Sequence, residues 1–144
     1  MRPFRRPAPV PAHVGAGFLA AEAPALQRSF RAALHPSERA ARHPVPARVE
    51  VTRGADGRVV LAWRNVLVGF VPESHLALLA AQVDAALPAT LEADGAVHPS
   101  GDVWRLWVGP TPADGFPPAP PDLDTLPAPR DTILGVPLRR PDEL

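Results

Sequence analysis

The sequence of 144 residues contains no cysteine and no lysine. The absence of cysteine excludes disulfides and thiol chemistry and fits a cytoplasmic protein. All fifteen positive charges are therefore arginine, which together with abundant alanine and proline is typical of a GC-rich, bacterial genome rather than of a binding code. No apolar run approaches the length that spans a bilayer, and the basic start is not followed by the apolar segment of a signal peptide. We expect a protein without a membrane segment.

The motifs of catalysis are also missing. None of the four serines lies in a Gly-x-Ser-x-Gly elbow, and no glycine-rich phosphate loop follows a strand. Asp94 and Asp102 could pair as carboxylates, but they occupy turn positions where aspartate is ordinary. Three of the five histidines immediately precede proline, and no two have the spacing that places two imidazoles on one helix face. The sequence predicts no enzyme, no metal site and no cofactor.

Prolines and charges divide the chain. Most of the 21 prolines lie in the first 24 residues or from Pro110 onward. Because proline removes a backbone donor and breaks helices, we predict a basic Pro-rich tail over 1–14, one globular domain over 15–109 with its core over 46–109, and an acidic Pro-rich tail over 110–144. Residues 131–136 of that tail could form a short edge strand.

The net charge is zero, but its distribution is uneven. Residues 1–60 carry ten arginines against four acidic residues, and residues 61–144 carry five against eleven. Two interpretations remain open. Either the two halves screen each other, or the basic half meets a polyanion or an acidic partner.

Local patterns predict an α+β fold. Alternation and turn signals, above all Asp56-Gly57, favour antiparallel strands, and apolar residues at helical spacing favour helices. Two of the strands are apolar on both faces, so they should be covered on both sides, as in a closed barrel. We predict a small antiparallel β-barrel or curved sheet of five or six strands, with one crossing helix and one N-terminal helix. The predicted helices cover 24–34 and 73–87, with a helical turn over 37–42, and the predicted strands cover 47–53, 58–63, 66–71, 90–93 and 101–109.

Aromatic and arginine side chains are the candidate ligand contacts. Core packing is the default for tryptophans in strands of this kind. The alternative is a platform on which the bases of a single strand stack while arginines contact the phosphates. The residues that this alternative predicts to bind nucleic acid are Arg48, Arg58, Trp63, Arg64 and Trp104.

One segment resembles a known family. Asp56-Gly57, then Val68-Gly69-Phe70-Val71-Pro72-Glu73, then Leu76-x-x-Leu79-Ala80 resembles the HIRAN domain over about residues 47–109. The resemblance implies a small OB-like β-barrel that captures single-stranded DNA. The chain departs from the family at Phe70, where the family has tyrosine, and in lacking its Pro-x-Asn-x-x-Asp segment.

Two functions follow as hypotheses. The first is a non-enzymatic module that binds single-stranded nucleic acid, DNA by the resemblance. The second is a protein-interaction adaptor whose Pro-rich terminal arms become ordered on a partner. The character of the barrel's open face distinguishes them: an arginine-rich groove with exposed tryptophan favours nucleic acid, whereas a neutral, covered face favours the adaptor.

Overall fold

The computed structural model describes residues 7–124, 132–133 and 136–137. Seven strands form one sheet in the order β2-β7-β6-β3-β4-β5, with β1 paired to β6 beside this path. The strands are β1 Val10–Pro11, β2 Phe18–Leu19, β3 Val45–Arg53, β4 Val59–Trp63, β5 Val66–Phe70, β6 Leu91–Ser100 and β7 Val103–Val108. The helices are a short 3₁₀ helix over Ala23–Leu26, α1 Gln27–Ala33, α2 Pro36–Ala41 and α3 Glu73–Ala86.

The central hairpins follow from alternation and turn chemistry. Every second residue of β3 from Val45 to Val51 is buried, and the residues between them are exposed. Asp56 and Gly57 both have positive φ in the turn before β4. Arg64 and Asn65, at φ 50° and 67°, form the two-residue turn between β4 and β5. Two successive residues with positive φ match the twist of the flanking strands, which explains the tight β4–β5 hairpin.

The sheet curls until its two edges are joined by one segment. Ala20 donates its backbone N–H to the carbonyl of Leu106 in β7 at 2.9 Å, and the next residue, Ala21, exchanges two backbone hydrogen bonds with Phe70 in β5 at 2.8 and 3.3 Å. A Cβ at Gly69 would lie 2.6 Å from the Cβ of Ala20, so this close approach needs glycine. The result is a curled antiparallel half-barrel with a few helices, which confirms the predicted fold class.

Two helices cover the apolar concave side of the sheet. Leu79 and Val83 of α3 are buried against β3, β4 and β6, so α3 is the predicted crossing helix. Phe30 and Ala33 of α1 are buried near β5 and β7. Both predicted helices are therefore present, and the enclosed core is apolar throughout.

Part of the predicted basic Pro-rich tail forms a strand of the sheet. Val10 donates to the carbonyl of Thr90, and Ala12 donates to that of Glu92, so β1 lies parallel to β6. Pro11 lies between the two donors, at a position that donates no hydrogen bond to β6, so its lack of an N–H does not weaken the pairing. Proline at alternate positions is thus compatible with an edge strand here.

Part of the predicted acidic Pro-rich tail lies against the sheet. Residues 110–124 pack against the outer face of β6 and β7, as described below. Within the segment predicted as an edge strand, β8 (Thr132–Ile133) and β9 (Val136–Pro137) pair with each other in a separate two-stranded sheet. The other residues of that prediction, 131, 134 and 135, lie outside the described residues.

Candidate nucleic-acid interface

The two tryptophans among the predicted contacts lie in the core. Trp63 is 4% exposed and Trp104 is 8% exposed. Alternation explains their positions, because Trp63 follows Val59 and Leu61 on the inner face of β4, and Trp104 precedes Leu106 on the inner face of β7. Neither ring presents a face to solvent on which a base could stack, so both follow the core-packing interpretation.

Arg64 ties the β4–β5 turn to the helices. Its Nη1 donates to the carbonyl of Ala33 at 2.9 Å and to Oε1 of Glu38 at 2.7 Å, and its Nη2 donates to Oε2 of Glu38 at 3.1 Å. The guanidinium also lies 4.1 Å from the ring centre of Trp63. The hydrogen bonds from Arg64 lower the pKa of Glu38 from 4.5 to about 2. This cation is therefore committed to a structural ion pair.

Arg48 and Arg58 lie apart from each other and from Arg64. Arg48 is exposed on the outer face of β3 and pairs with Asp94 at 3.3 Å. Arg58 immediately precedes β4 and lies 5.2 Å from the ring centre of Phe70, and Arg64 immediately follows that strand. The five predicted residues do not form one surface, because their strand positions place them on different faces and ends of the sheet.

A second set of arginines, not among the predicted contacts, is carried by α1 and α2, which follow each other in the chain. We call Arg28 and Arg31 on α1, Arg39 on α2 and Arg42, the residue that ends α2, the arginine cap. Arg28 and Arg31 are exposed and one helical turn apart. Arg39 donates to the carbonyl of Arg31 at 2.9 Å, so its head group lies beside α1. In the sequence, the signal for this set is the repeated i, i+3 spacing of its arginines, Arg28 with Arg31 and Arg39 with Arg42.

The arginine cap has no carboxylate partner within the described part of the chain. Arg42 donates to the carbonyl of Gly101 at 3.0 Å and lies 5.9 Å from the ring centre of Trp104, but neither contact neutralises its charge. The four salt bridges of the described residues use arginines outside the cap: Arg48, Arg53, Arg64 and Arg105. The cap is thus a local excess of positive charge.

The outer face of β6 and β7 is buried by residues 110–124, which we call the strap. This covered face presents His98 on β6 beside Arg105 and Trp107 on β7. The ring of Phe116 in the strap stacks on that of His98, with centroids 4.0 Å apart and planes 7° from parallel. The indole Nε1 of Trp107 donates to the carbonyl of Pro110 at 2.9 Å.

The C-terminal end of the strap is held by a buried ion pair. Arg105, 7% exposed, donates Nη2 to Oδ2 of Asp124 at 2.7 Å and Nη1 to Oδ1 at 3.2 Å. Asp124 also accepts the backbone N–H of Glu22 at 3.0 Å and that of Ala23. Burial by itself raises the pKa of Asp124, but the hydrogen bonds and charge of Arg105 and the two amides outweigh it, so the pKa is lowered.

His98 is the one buried side chain of the described residues with an unpartnered polar atom. It is 3% exposed, and its Nε2 has no hydrogen-bond partner. Burial lowers the pKa of His98, and the nearby charge of Arg105 lowers it further. The imidazole is therefore neutral near pH 7.

Several other kinds of site find no support in the described ranges. Within residues 7–124, 132–133 and 136–137, no group of three or more His, Asp or Glu residues could hold a metal ion. No helix in the same ranges is long and apolar enough to cross a membrane. No protein-family model, no curated protein and no solved structure matches this chain.

Proposed function

We propose that this protein is a non-enzymatic module that binds single-stranded nucleic acid, in the first instance DNA, and that phosphates of the strand lie on the arginine cap. The observation that carries the proposal is the cap's uncompensated charge: four guanidinium groups with no ion pair among the described residues. Arginine is suited to this role because its planar fork matches phosphate geometry and its charge persists at every physiological pH.

The strength of such binding depends on salt. A protein that neutralises four phosphates of a single strand releases their counterions, and the logarithm of its affinity falls with the logarithm of salt concentration with a slope of about −2.8. Between about 50 and 200 mM salt, this slope lowers the affinity roughly 50-fold. Binding should therefore be readily measured at low salt and weak at physiological salt.

A pair of matched double variants tests the proposal. Arg28→Gln with Arg31→Gln removes two positive charges from the cap at exposed positions. Arg48→Gln with Arg53→Gln removes the same charge from β3, where both arginines pair with aspartates. Fluorescence anisotropy with a labelled oligothymidylate of about ten nucleotides measures the affinity.

The cap variant should bind several-fold more weakly than the wild type, and its salt slope should be smaller by about 1.4, the share of two phosphates. The β3 variant should bind with nearly wild-type affinity and slope. The absence of any binding by the wild type at low salt would refute the proposed function, and equal losses in both variants would refute the assignment to the cap.

The adaptor hypothesis has less support, because the described parts of both Pro-rich arms contact the chain's own sheet. β1 pairs with β6, and the strap lies on the covered face. Deletion of residues 110–144 separates the two hypotheses. We expect the deletion to lower the thermal midpoint of unfolding, whereas a free docking arm would leave the midpoint unchanged and abolish partner capture.

A further inference from the structure

The covered face differs in chemistry from the rest of the protein's interior. Among the described residues, the core on the concave side consists of hydrophobic side chains. The outer face beneath the strap instead buries a charged Arg105 and a neutral His98 with an unpartnered Nε2. A buried ion pair is weak evidence for stability, because an apolar pair of similar volume often serves as well or better. The polar groups of this face therefore need an explanation other than holding the strap.

The strap places two specific groups on this face. Phe116 stacks nearly parallel on His98, and its ring centre lies 6.3 Å from that of Trp107 with the two planes tilted by 55°, so the phenyl ring stacks on one aromatic side chain and lies beside a second. The carboxylate of Asp124 is bound by both Nη atoms of Arg105 and by two backbone amides. A flat ring stacked on an aromatic side chain and an anion on an arginine fork are the two contacts that a nucleotide makes through its base and its phosphate.

We propose that the covered face is a nucleotide-binding site and that the strap is its built-in competitor. The base of a single-stranded nucleic acid takes the place of Phe116 against His98 and Trp107, and a phosphate takes the place of the Asp124 carboxylate on Arg105. The inference rests on the proposed function and adds a second subsite to it. The arginine cap contacts phosphates alone, and the covered face next to it also binds a base.

The position and charge of the strap fit this role. The strap carries three aspartates and no basic residue, so it resembles the anionic ligand that it excludes. The covered face also adjoins the cap, since Gln27, next to Arg28 on α1, hydrogen-bonds the backbone of Trp104, next to Arg105 on β7. A strand bound at the cap can therefore continue onto the face. The affinity of the covered face measured for the whole chain is its intrinsic affinity multiplied by the fraction of molecules in which the strap is open.

Two strap variants and a charge-matched control test the proposal in the full-length chain. Asp124→Asn weakens the contact with Arg105, and Phe116→Ala removes the ring that is stacked on His98 without changing charge. Asp114→Asn removes one negative charge from an exposed strap residue that has no ion pair among the described residues. The affinity for the same labelled oligothymidylate is measured by anisotropy at one low salt concentration. Thermal unfolding identifies any variant that is not folded, and Phe116→Ala, at a half-buried position, serves if Asp124→Asn does not fold.

We expect both strap variants to bind more tightly than the control. The gain is about tenfold if the strap opens from roughly one molecule in ten to nearly all. His98→Ala added to Phe116→Ala should cancel the gain, because it removes the ring on which the base stacks. Strap variants with the affinity of the control, or a gain that survives His98→Ala, would overturn the proposal while leaving the effect of the cap variants intact. If neither the wild type nor any variant binds, the proposed function fails and this inference fails with it.

Discussion

The side-chain amide of Gln27 pairs with the backbone of Trp104 as a neighbouring strand would. Its Oε1 accepts the N–H of Trp104 at 2.8 Å, and its Nε2 donates to the carbonyl of Trp104 at 2.8 Å and to that of Ala23 at 2.7 Å. At this point β7 has no strand on its outer side, because β2 pairs only with Val108 and Trp107. One glutamine thus pairs with the backbone N–H and carbonyl of Trp104 at the open edge of the sheet, and it holds the start of α1 against that edge.

Gln27→Ala should lower the free energy of unfolding by about 2 kcal/mol, because it leaves partly buried donors and acceptors without partners. The chain offers a matched control. Gln82 makes the same pair of hydrogen bonds with the backbone of His13, at 2.7 and 2.9 Å, but at an exposed site. Gln82→Ala should cost no more than about 0.5 kcal/mol, since water replaces the lost bonds. Urea unfolding followed by tryptophan fluorescence measures both, and equal losses would contradict this account.

Glu38 gives stability a specific pH dependence. Its pKa is about 2 in the folded protein against 4.5 ordinarily, because Arg64 hydrogen-bonds its carboxylate. Between these values the unfolded chain binds the proton and the folded chain does not, so the stability from this pair is present above pH 4.5 and is lost as pH falls toward 2. Glu38→Gln should therefore destabilise the protein by about 1 kcal/mol at neutral pH, a value discounted for solvent exposure.

The difference in unfolding free energy between wild type and Glu38→Gln, measured by urea titration at a series of pH values, should shrink as the pH is lowered. Glu50→Gln is the control, because Glu50 is exposed on β3 and forms no ion pair among the described residues. A difference for Glu38→Gln that stays constant down to about pH 2 would show that the ion pair does not act through this protonation.

Strand and helix identity could be predicted wherever one periodicity dominated. The bounds predicted from the sequence agree within two residues with those in the structure for the elements with clear patterns, which are β3, β4, β5 and α3. The second half of β6 was missed, because Gly95 and Pro99 are poor strand formers. Pro99 is accommodated because the pairing of β6 with β3 ends at Val97, so no hydrogen bond to β3 requires an N–H at Pro99. A Cβ at Gly95 would overlap the backbone carbonyl oxygen of Trp107, so close packing of β6 on β7 requires glycine there.

The candidate sites could be predicted only in part, because their contacts join segments far apart in the chain. The sequence shows that Arg64 is in a turn, but not that Glu38, 26 residues earlier, binds it. It shows that Phe116 and Asp124 lie in a Pro-rich acidic segment, but not that they contact His98 and Arg105. The arginine cap, in contrast, follows from local spacing once the helices are known.

His98 should make the protein less stable in mild acid. Burial and the charge of Arg105 lower its pKa below 6.5. Below pH 6.5 the unfolded chain binds a proton that the folded chain excludes, so stability is full above this pH and falls as the pH drops toward the lowered pKa of the folded state. His98→Phe keeps a ring against Phe116 and removes the unpartnered Nε2. It should be at least as stable as the wild type at neutral pH, and its advantage should grow as the pH falls.

Thermal unfolding between about pH 7.5 and 5.5 measures that advantage. His13→Phe, at an exposed position, is the control. It retains His98, so it should keep the wild-type loss of stability on acidification. An advantage of His98→Phe that is the same at every pH would indicate a packing effect without any contribution from protonation.

Trp63 separates the core-packing interpretation from the base-stacking one. Its ring is 4% exposed and is covered by the Arg64 guanidinium, so Trp63→Phe should cost about 1–3 kcal/mol of stability while leaving the affinity for single-stranded oligothymidylate unchanged. Arg31→Gln, on the exposed surface of the arginine cap, should do the reverse: little change in urea stability and a several-fold loss of affinity. Anisotropy and urea unfolding of the two variants, side by side, give this double comparison. If Trp63→Phe remains folded and loses affinity as strongly as Arg31→Gln, then the indole contacts the ligand and the sheet must open to expose it.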